Sequence, residues 1–220
     1  MRRGAWAAAE EAPDRPVEEP GDSLVEEHLG ELAILRPRDP DSLLDERAFV
    51  HEEFLPYWAE LWPSAIVLAR AVAKRSLRGA RTVELGCGLG APSIAAALAG
   101  GRVLATDWSA DAVRFARRNA RRNGAALEAA VCAWGDPSAL VARAPWDIVL
   151  AADVLYERRN VAQLASLLPR LLARGGEALI ADPGRPPAHE FLTRVDPDFE
   201  RRSAVDAQFP SVQLHRLRRR

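Results

Sequence analysis

The stretch RTVELGCGLGAPSIAAALAGGRVLATD, residues 81–107, most constrains this chain. Thr82, Val83 and Leu85 read as a short buried strand, followed by a tight turn over Gly86, Cys87, Gly88, Leu89 and Gly90. Pro92 to Leu98 is apolar and Ala-rich and reads as a helix, with Pro92 tolerated in its first turn. Gly100 and Gly101 end that helix, and Val103 to Thr106 form a second strand that delivers Asp107. The pattern is a βαβ unit with a glycine turn after its first strand and an acid after its second.

Glycines let backbone N–H groups approach a ligand where a Cβ would clash. A helix N-terminus adds partial positive charge suited to a carboxylate or phosphate. An acid at the tip of the second strand can accept both hydroxyls of a ribose. Asp107 lies 21 positions after Gly86, near the roughly 20 of a dinucleotide site. The turn is nevertheless G-x-G-x-G and not the G-x-G-x-x-G of NAD-binding folds. Glu84, buried just before the first glycine, suits an ammonium and would repel a pyrophosphate. Glu84, Gly86, Gly88, Gly90 and Asp107 therefore point to S-adenosyl-L-methionine, whose methionine end carries an ammonium and a carboxylate.

Around this unit, VELGCGLG followed by VLATDWS (which includes Trp108) resembles the first two motifs of class I S-adenosylmethionine-dependent methyltransferases. PYWAELWPSAIVLA upstream, WGD at Trp134 to Asp136, and DIVLAADVLY containing Asp153 and Tyr156 resemble the seven-β-strand protein-lysine methyltransferases with a D-x-x-Y pair. ADPGRP at Ala181 to Pro186 is similar to a segment of the branch that acts on the electron-transfer flavoprotein β subunit. The resemblance spans about Leu55 to Arg185. It implies that Trp62, Trp108 and Trp134 join the cofactor pocket, with Trp134 beside the adenine. It implies also that Asp153 borders the cofactor and grips an incoming lysine, with Tyr156 walling the channel.

The expected fold is α/β: a Rossmann-like, doubly wound, seven-stranded sheet, mostly parallel with an antiparallel last strand. Leu127 to Ala133 reads as the third strand, Trp146 to Val154 as a central strand buried on both faces, and Glu177 to Ala181 as the fifth. Pro63 to Ser76, Ser109 to about Asn123 and Asn160 to Ala173 read as helices, the last stopped by Gly175 and Gly176. Residues 182–187 read as a rigid loop beside the site, and Phe199 to Asp206 and Val212 to Leu217 as a terminal antiparallel pair. Residues 1–22, rich in Ala, Glu and Pro, read as a disordered tail. Residues 23–53 read as an accessory segment, with a short helix at Leu24 to Leu29, a strand at Leu32 to Leu35, and Ser42 to Phe49 helical or irregular. Residues 54–220 form the methyltransferase domain, opened by an aromatic cluster of Phe54, Tyr57, Trp58 and Trp62.

The 220 residues suffice for one α/β domain. A net charge of −1 gives no bulk attraction to nucleic acid or anionic lipid. Lys74 is the only lysine, and the arginine-rich face at Arg117, Arg118, Arg121 and Arg122 reads as a solvated helix surface. No apolar run approaches a membrane span. Cys87 and Cys132 form no C-x-x-C pair, and the four histidines are scattered. These features predict a cytoplasmic monomer with reduced thiols, no metal, no nucleic-acid partner and no membrane partner. The acceptor is either a protein lysine or, as the rival, a small nicotinamide-like amine. A nucleic-acid base methyltransferase fits less well, since Asp153-Val154-Leu155-Tyr156 stands where N/D-P-P-Y would be. A NAD oxidoreductase conflicts with Glu84 and the turn. A protein that binds the cofactor without turnover is the non-enzyme reading.

Overall fold

The computed structural model describes residues 24–40 and 56–220. The readings of a tail at residues 1–22, of Ser42 to Phe49 and of Phe54 lie outside the described residues. Strands β3 (Arg81–Leu85), β4 (Arg102–Asp107), β5 (Glu128–Val131), β6 (Trp146–Ala152), β7 (Leu172–Asp182), β8 (Phe199–Val205) and β9 (Gln213–Arg219) build one sheet. Its order is β5-β4-β3-β6-β7-β9-β8, and β9 runs antiparallel to both its neighbours. Val103 to Thr106 and Ile148 to Leu150 flank β3 on its two sides, as the βαβ reading requires.

Burial on both faces explains the apolar central strands. On one face Val83, Leu85, Val149, Ala151, Ala178 and Ile180 pack against α5 (Arg158–Leu171) and α6 (Pro186–Val195). On the other, Ile148, Leu150, Leu179 and Ala181 meet α1 (Pro63–Ala73) and α2 (Ala91–Leu98). Helix α3 (Ala110–Arg122) covers the β4–β5 end, and Ser109 caps it by accepting from Ala112 N–H at 3.3 Å. A single turn, α4 (Ser138–Val141), precedes β6.

Several boundaries differ from those read in the sequence. Leu24–Leu29 is a strand, β1, and not a helix; it pairs in a hairpin with β2 (Leu32–Pro37) across Gly30, whose φ is +61°. The cause is tertiary. Asn123 Oδ1 accepts from Ala33 N–H at 2.9 Å and its amide donates to Ala33 C=O at 2.8 Å. Asn119, one turn earlier, does the same for Leu35 at 2.8 and 3.0 Å. Two side-chain amides, Asn119 on α3 and Asn123 at its C-cap, thus stand in for a neighbouring strand along the β2 edge. Helix α1 stops at Ala73, three residues short of Ser76. The third strand is trimmed to Glu128–Val131. Helix α5 ends at Leu171 without help from Gly175 and Gly176, because β7 begins at once and includes both glycines. The loop expected over residues 182–187 is cut short by α6, which Pro186 and Pro187 open in its first turn.

Gly90 takes φ +85° at the N-cap of α2, and a Cβ there would lie 3.0 Å from Ala116 Cβ and 3.1 Å from Ala116 Cα. Gly90→Ala is expected to destabilise the fold by about 2–4 kcal/mol, combining backbone strain with overpacking against α3. Gly124, with φ +64° and open space around it, is the control: its alanine variant is expected to lose only about 1 kcal/mol. Urea unfolding of the two variants checks the difference.

Candidate active site

The C-terminal ends of β3, β4 and β6 open into a cavity of about 370 Å³, where open α/β sheets bind ligands. Its lining includes Trp62, Glu84, Gly86, Gly88, Gly90, Asp107, Trp108, Trp134, Asp153 and Tyr156. Every site residue read from the sequence therefore faces one cavity.

The glycine turn is pressed on from both sides. A Cβ on Gly86 (φ +72°) would lie 2.9 Å from Val154 Cγ1, and one on Gly88 (φ +48°) 3.2 Å from Trp58 C=O. Asp107 anchors this turn to β4: its Oδ2 accepts from Gly88 N–H at 2.9 Å and its Oδ1 from Ser109 N–H at 3.0 Å. Burial pushes the Asp107 carboxyl above the usual range, while the Ser109 and Gly88 N–H groups pull it back.

Glu84 is 1% exposed. Its Oε2 accepts from Ser93 N–H at 2.9 Å and from the Ser93 hydroxyl, both from the first turn of α2. Burial raises its pKa to about 8 against the opposing pull of Ser93, and the negative charge of Asp107 adds to the rise. Two buried carboxylates beside one cavity are costly unless a ligand uses them. An ammonium over Glu84 and a hydroxyl pair at Asp107 would supply donors to these two acceptors, so the residues present fit S-adenosylmethionine.

At the mouth, Tyr57 sits 5.4 Å from Tyr156 and 6.3 Å from Trp62, ring centre to ring centre, and Trp62 Nε1 donates to Tyr57 C=O at 2.7 Å. Tyr57, Trp108 and Tyr156 are 45%, 46% and 37% exposed, so this aromatic rim opens to solvent. Burial, with Glu157 nearby, raises the Tyr156 pKa. Trp134 is half-buried: it lines the cavity and also packs against the core cluster that includes the buried face of α5.

Asp153 follows β6 with φ +59°, and its N–H donates to Ala181 C=O at 2.9 Å. Its carboxylate is paired with the Arg185 guanidinium, a partner that the sequence reading did not identify. The signal for it was ADPGRP itself, read as a loop near the site but not as the source of a counter-ion.

Among the described residues there is no group of three or more His, Cys, Asp or Glu side chains arranged to hold a metal, and no helix is long and apolar enough to cross a membrane.

A family model described as lysine methyltransferase matches residues 56–197. The chain is 34% identical to an electron transfer flavoprotein beta subunit lysine methyltransferase of Xenopus laevis, over 64% of this chain and 59% of that one. It is 32% identical to the protein N-lysine methyltransferase METTL21A of Danio rerio, over 51% and 55%. It is 36% identical to the histone-arginine methyltransferase METTL23 of Homo sapiens, over 44% and 54%. The chain spans between 54% and 59% of the length of these relatives. Among solved structures, the Pyrococcus abyssi tRNA (uracil-54, C5)-methyltransferase in complex with S-adenosyl-L-homocysteine aligns with a TM-score of 0.60 at 19% identity. That alignment covers 90% of this chain and 45% of the other, and it speaks to the fold.

Proposed function

The chain belongs to the lysine methyltransferase family, and from that premise we propose that it transfers the methyl group of S-adenosylmethionine to the side-chain amine of a protein lysine. The observation that carries the acceptor class is the rim. Tyr57, Trp62 and Tyr156 edge a cavity that is open to solvent, which suits a long side chain presented by a macromolecule. A small amine such as a nicotinamide analogue would call for a closed pocket, and that reading is not favoured. The methyltransferase unit is residues 54–220, with the N-terminal hairpin as an accessory layer on α3.

When bound, S-adenosylmethionine supplies an electrophilic methyl: an N–C bond forms, the C–S bond breaks, and the electron pair stays on sulfur. The chain's own residues hold and orient the partners. Glu84 takes the methionine ammonium, the turn around Gly86, Gly88 and Gly90 admits the backbone to the tail, and Asp107 takes the ribose. Trp62, Trp108 and Trp134 wall the site and exclude water, with Trp134 beside the base. Asp153 receives the lysine as its ammonium and Tyr156 lines its path. Desolvation there lowers the lysine pKa against the opposing pull of the Asp153 carboxylate, and the proton passes to solvent before the freed nitrogen lone pair attacks the methyl.

The test is incubation with radiolabelled S-adenosylmethionine and a cell lysate, followed by mass spectrometry of labelled peptides. Purified electron-transfer flavoprotein β subunit serves as a defined candidate substrate. Label on lysine supports the reading. Label confined to arginine, or to small molecules, refutes it. For the cofactor, Asp107→Ala is expected to weaken S-adenosylhomocysteine binding by about 1–3 kcal/mol, the scale of a lost hydrogen bond to a charged group. Calorimetry checks this, and NAD is expected not to compete.

A further inference from the structure

We propose that Arg185 is the positioning residue of Asp153, holding one carboxylate oxygen so that the other meets the acceptor ammonium. The inference rests on Asp153 being the acceptor grip. Asp153 lines the cavity and Arg185 is not among the lining residues, so Arg185 reaches the carboxylate from outside and acts through it. The guanidinium pairs with Oδ1, and the proposal gives Oδ2 of the same lining residue to the acceptor.

Both partners are held from their backbones. After the last β6–β7 register pair, Ala152 and Ala181, the Asp153 N–H adds one more bond to Ala181 C=O, and the chain then turns at φ +59°. A non-glycine residue in the left-handed region is uncommon, and such residues gather at functional sites. On the other strand, Asp182 Oδ1 accepts from Gly184 N–H at 2.7 Å and from Arg185 N–H at 3.2 Å, around Gly184 at φ +78°. Pro186 and Pro187 then fix the helical start immediately after Arg185. Asp182 is fully buried and its Oδ2 has no hydrogen-bond partner. An apolar residue would avoid that cost. A buried carboxylate spent on shaping this turn is understandable if the turn must aim the next side chain.

Arg185→Ala is expected to lower the initial rate of label transfer to lysate protein at saturating S-adenosylmethionine on the order of 10- to 100-fold. Affinity for S-adenosylhomocysteine should stay within about twofold and the melting temperature near that of the parent, because the exposed side of the pair is solvated. Arg185→Lys, which keeps the charge without the planar fork, should fall between the two. In an Asp153→Asn background, Arg185→Ala should cost less than about twofold more, the non-additivity of residues acting as one unit. An unchanged rate in Arg185→Ala overturns the proposal. So does a loss matched by lost cofactor affinity, or a loss of equal size in the Asp153→Asn background. Should Arg185→Ala not fold, Arg185→Lys carries the same comparison in both backgrounds. Failure of the underlying reading looks different: Asp153→Asn alone would then label lysate as fast as the parent.

Discussion

Asp153→Asn is expected to slow methyl transfer to protein on the order of 100-fold, the scale for removing one partner of a desolvated charge pair. The substitution is nearly isosteric, and asparagine tolerates the left-handed backbone that Asp153 adopts at φ +59°. Backbone strain therefore does not confound the result. Arg185 loses its anionic partner but is 34% exposed at the side chain, so water takes over its solvation and the fold should lose no more than about 1 kcal/mol. Affinity for S-adenosylhomocysteine should be close to that of the parent, since the lost charge matters only when the acceptor amine is present. Running the assay in a Lys74→Arg background removes the only lysine of the chain, so every count on lysine then reports transfer to another protein. If Asp153→Asn labels a lysate at the parental rate, the acceptor assignment fails. If its cofactor affinity falls by the same factor as its rate, Asp153 belongs to cofactor binding instead.

The contrast between Asp153 and Arg185 shows where sequence reading stops. Glu84, the glycine turn and Asp107 were legible because they lie within one βαβ unit, where chain order dictates spatial order. The same holds for the sheet: alternating apolar strands and capped helices left few topologies open. Asp153 was legible from the D-x-x-Y pair at the end of a strand that is apolar from Ile148 to Ala152. Its partner was not, since 32 residues and a whole helix separate Arg185 from it. Strand β1, read as a short helix, was missed for a related reason, while its hairpin partner β2 was legible as a strand. LVEEHL carries no period that separates a strand from a helix, and the decision comes from Asn119 on α3 and Asn123 at its C-cap, which hold the partner strand β2 from more than 80 residues away. Helix α6 was hidden by Pro186 and Pro187, which read equally as a loop and as a helix start.

Glu84→Gln is expected to act in opposite directions on stability and on cofactor binding. With a pKa near 8 in the folded state against an ordinary value of 4.5, Glu84 keeps its proton at neutral pH while the unfolded chain releases it. Its contribution to stability is therefore fully present below about pH 4.5 and is lost as pH rises through 8, at about 1.4 kcal/mol per pH unit. At pH 7 the ligand-free protein has given up about 3 kcal/mol on this account. Glutamine mimics the protonated acid and its oxygen can still accept from Ser93. The variant should thus melt higher than the parent at pH 7 to 8, match it near pH 4.5, and show a gap that widens between those limits. Binding reverses the preference. An ammonium beside Glu84 favours the carboxylate, so the parent should release a proton on binding and bind more tightly as pH approaches 8. Above that, the ligand's own amino group begins to lose its charge, with an α-amino pKa of about 8. Glu84→Gln should bind on the order of 10- to 100-fold more weakly, without proton release. Calorimetry in two buffers of different ionisation enthalpy measures the released proton, and a ligand-free thermal melt across the pH range measures the rest. A variant that melts below the parent at pH 8 would show that the Glu84 carboxylate is already stabilised in the empty site, and the assignment of this buried acid to the cofactor's ammonium would lose its physical basis.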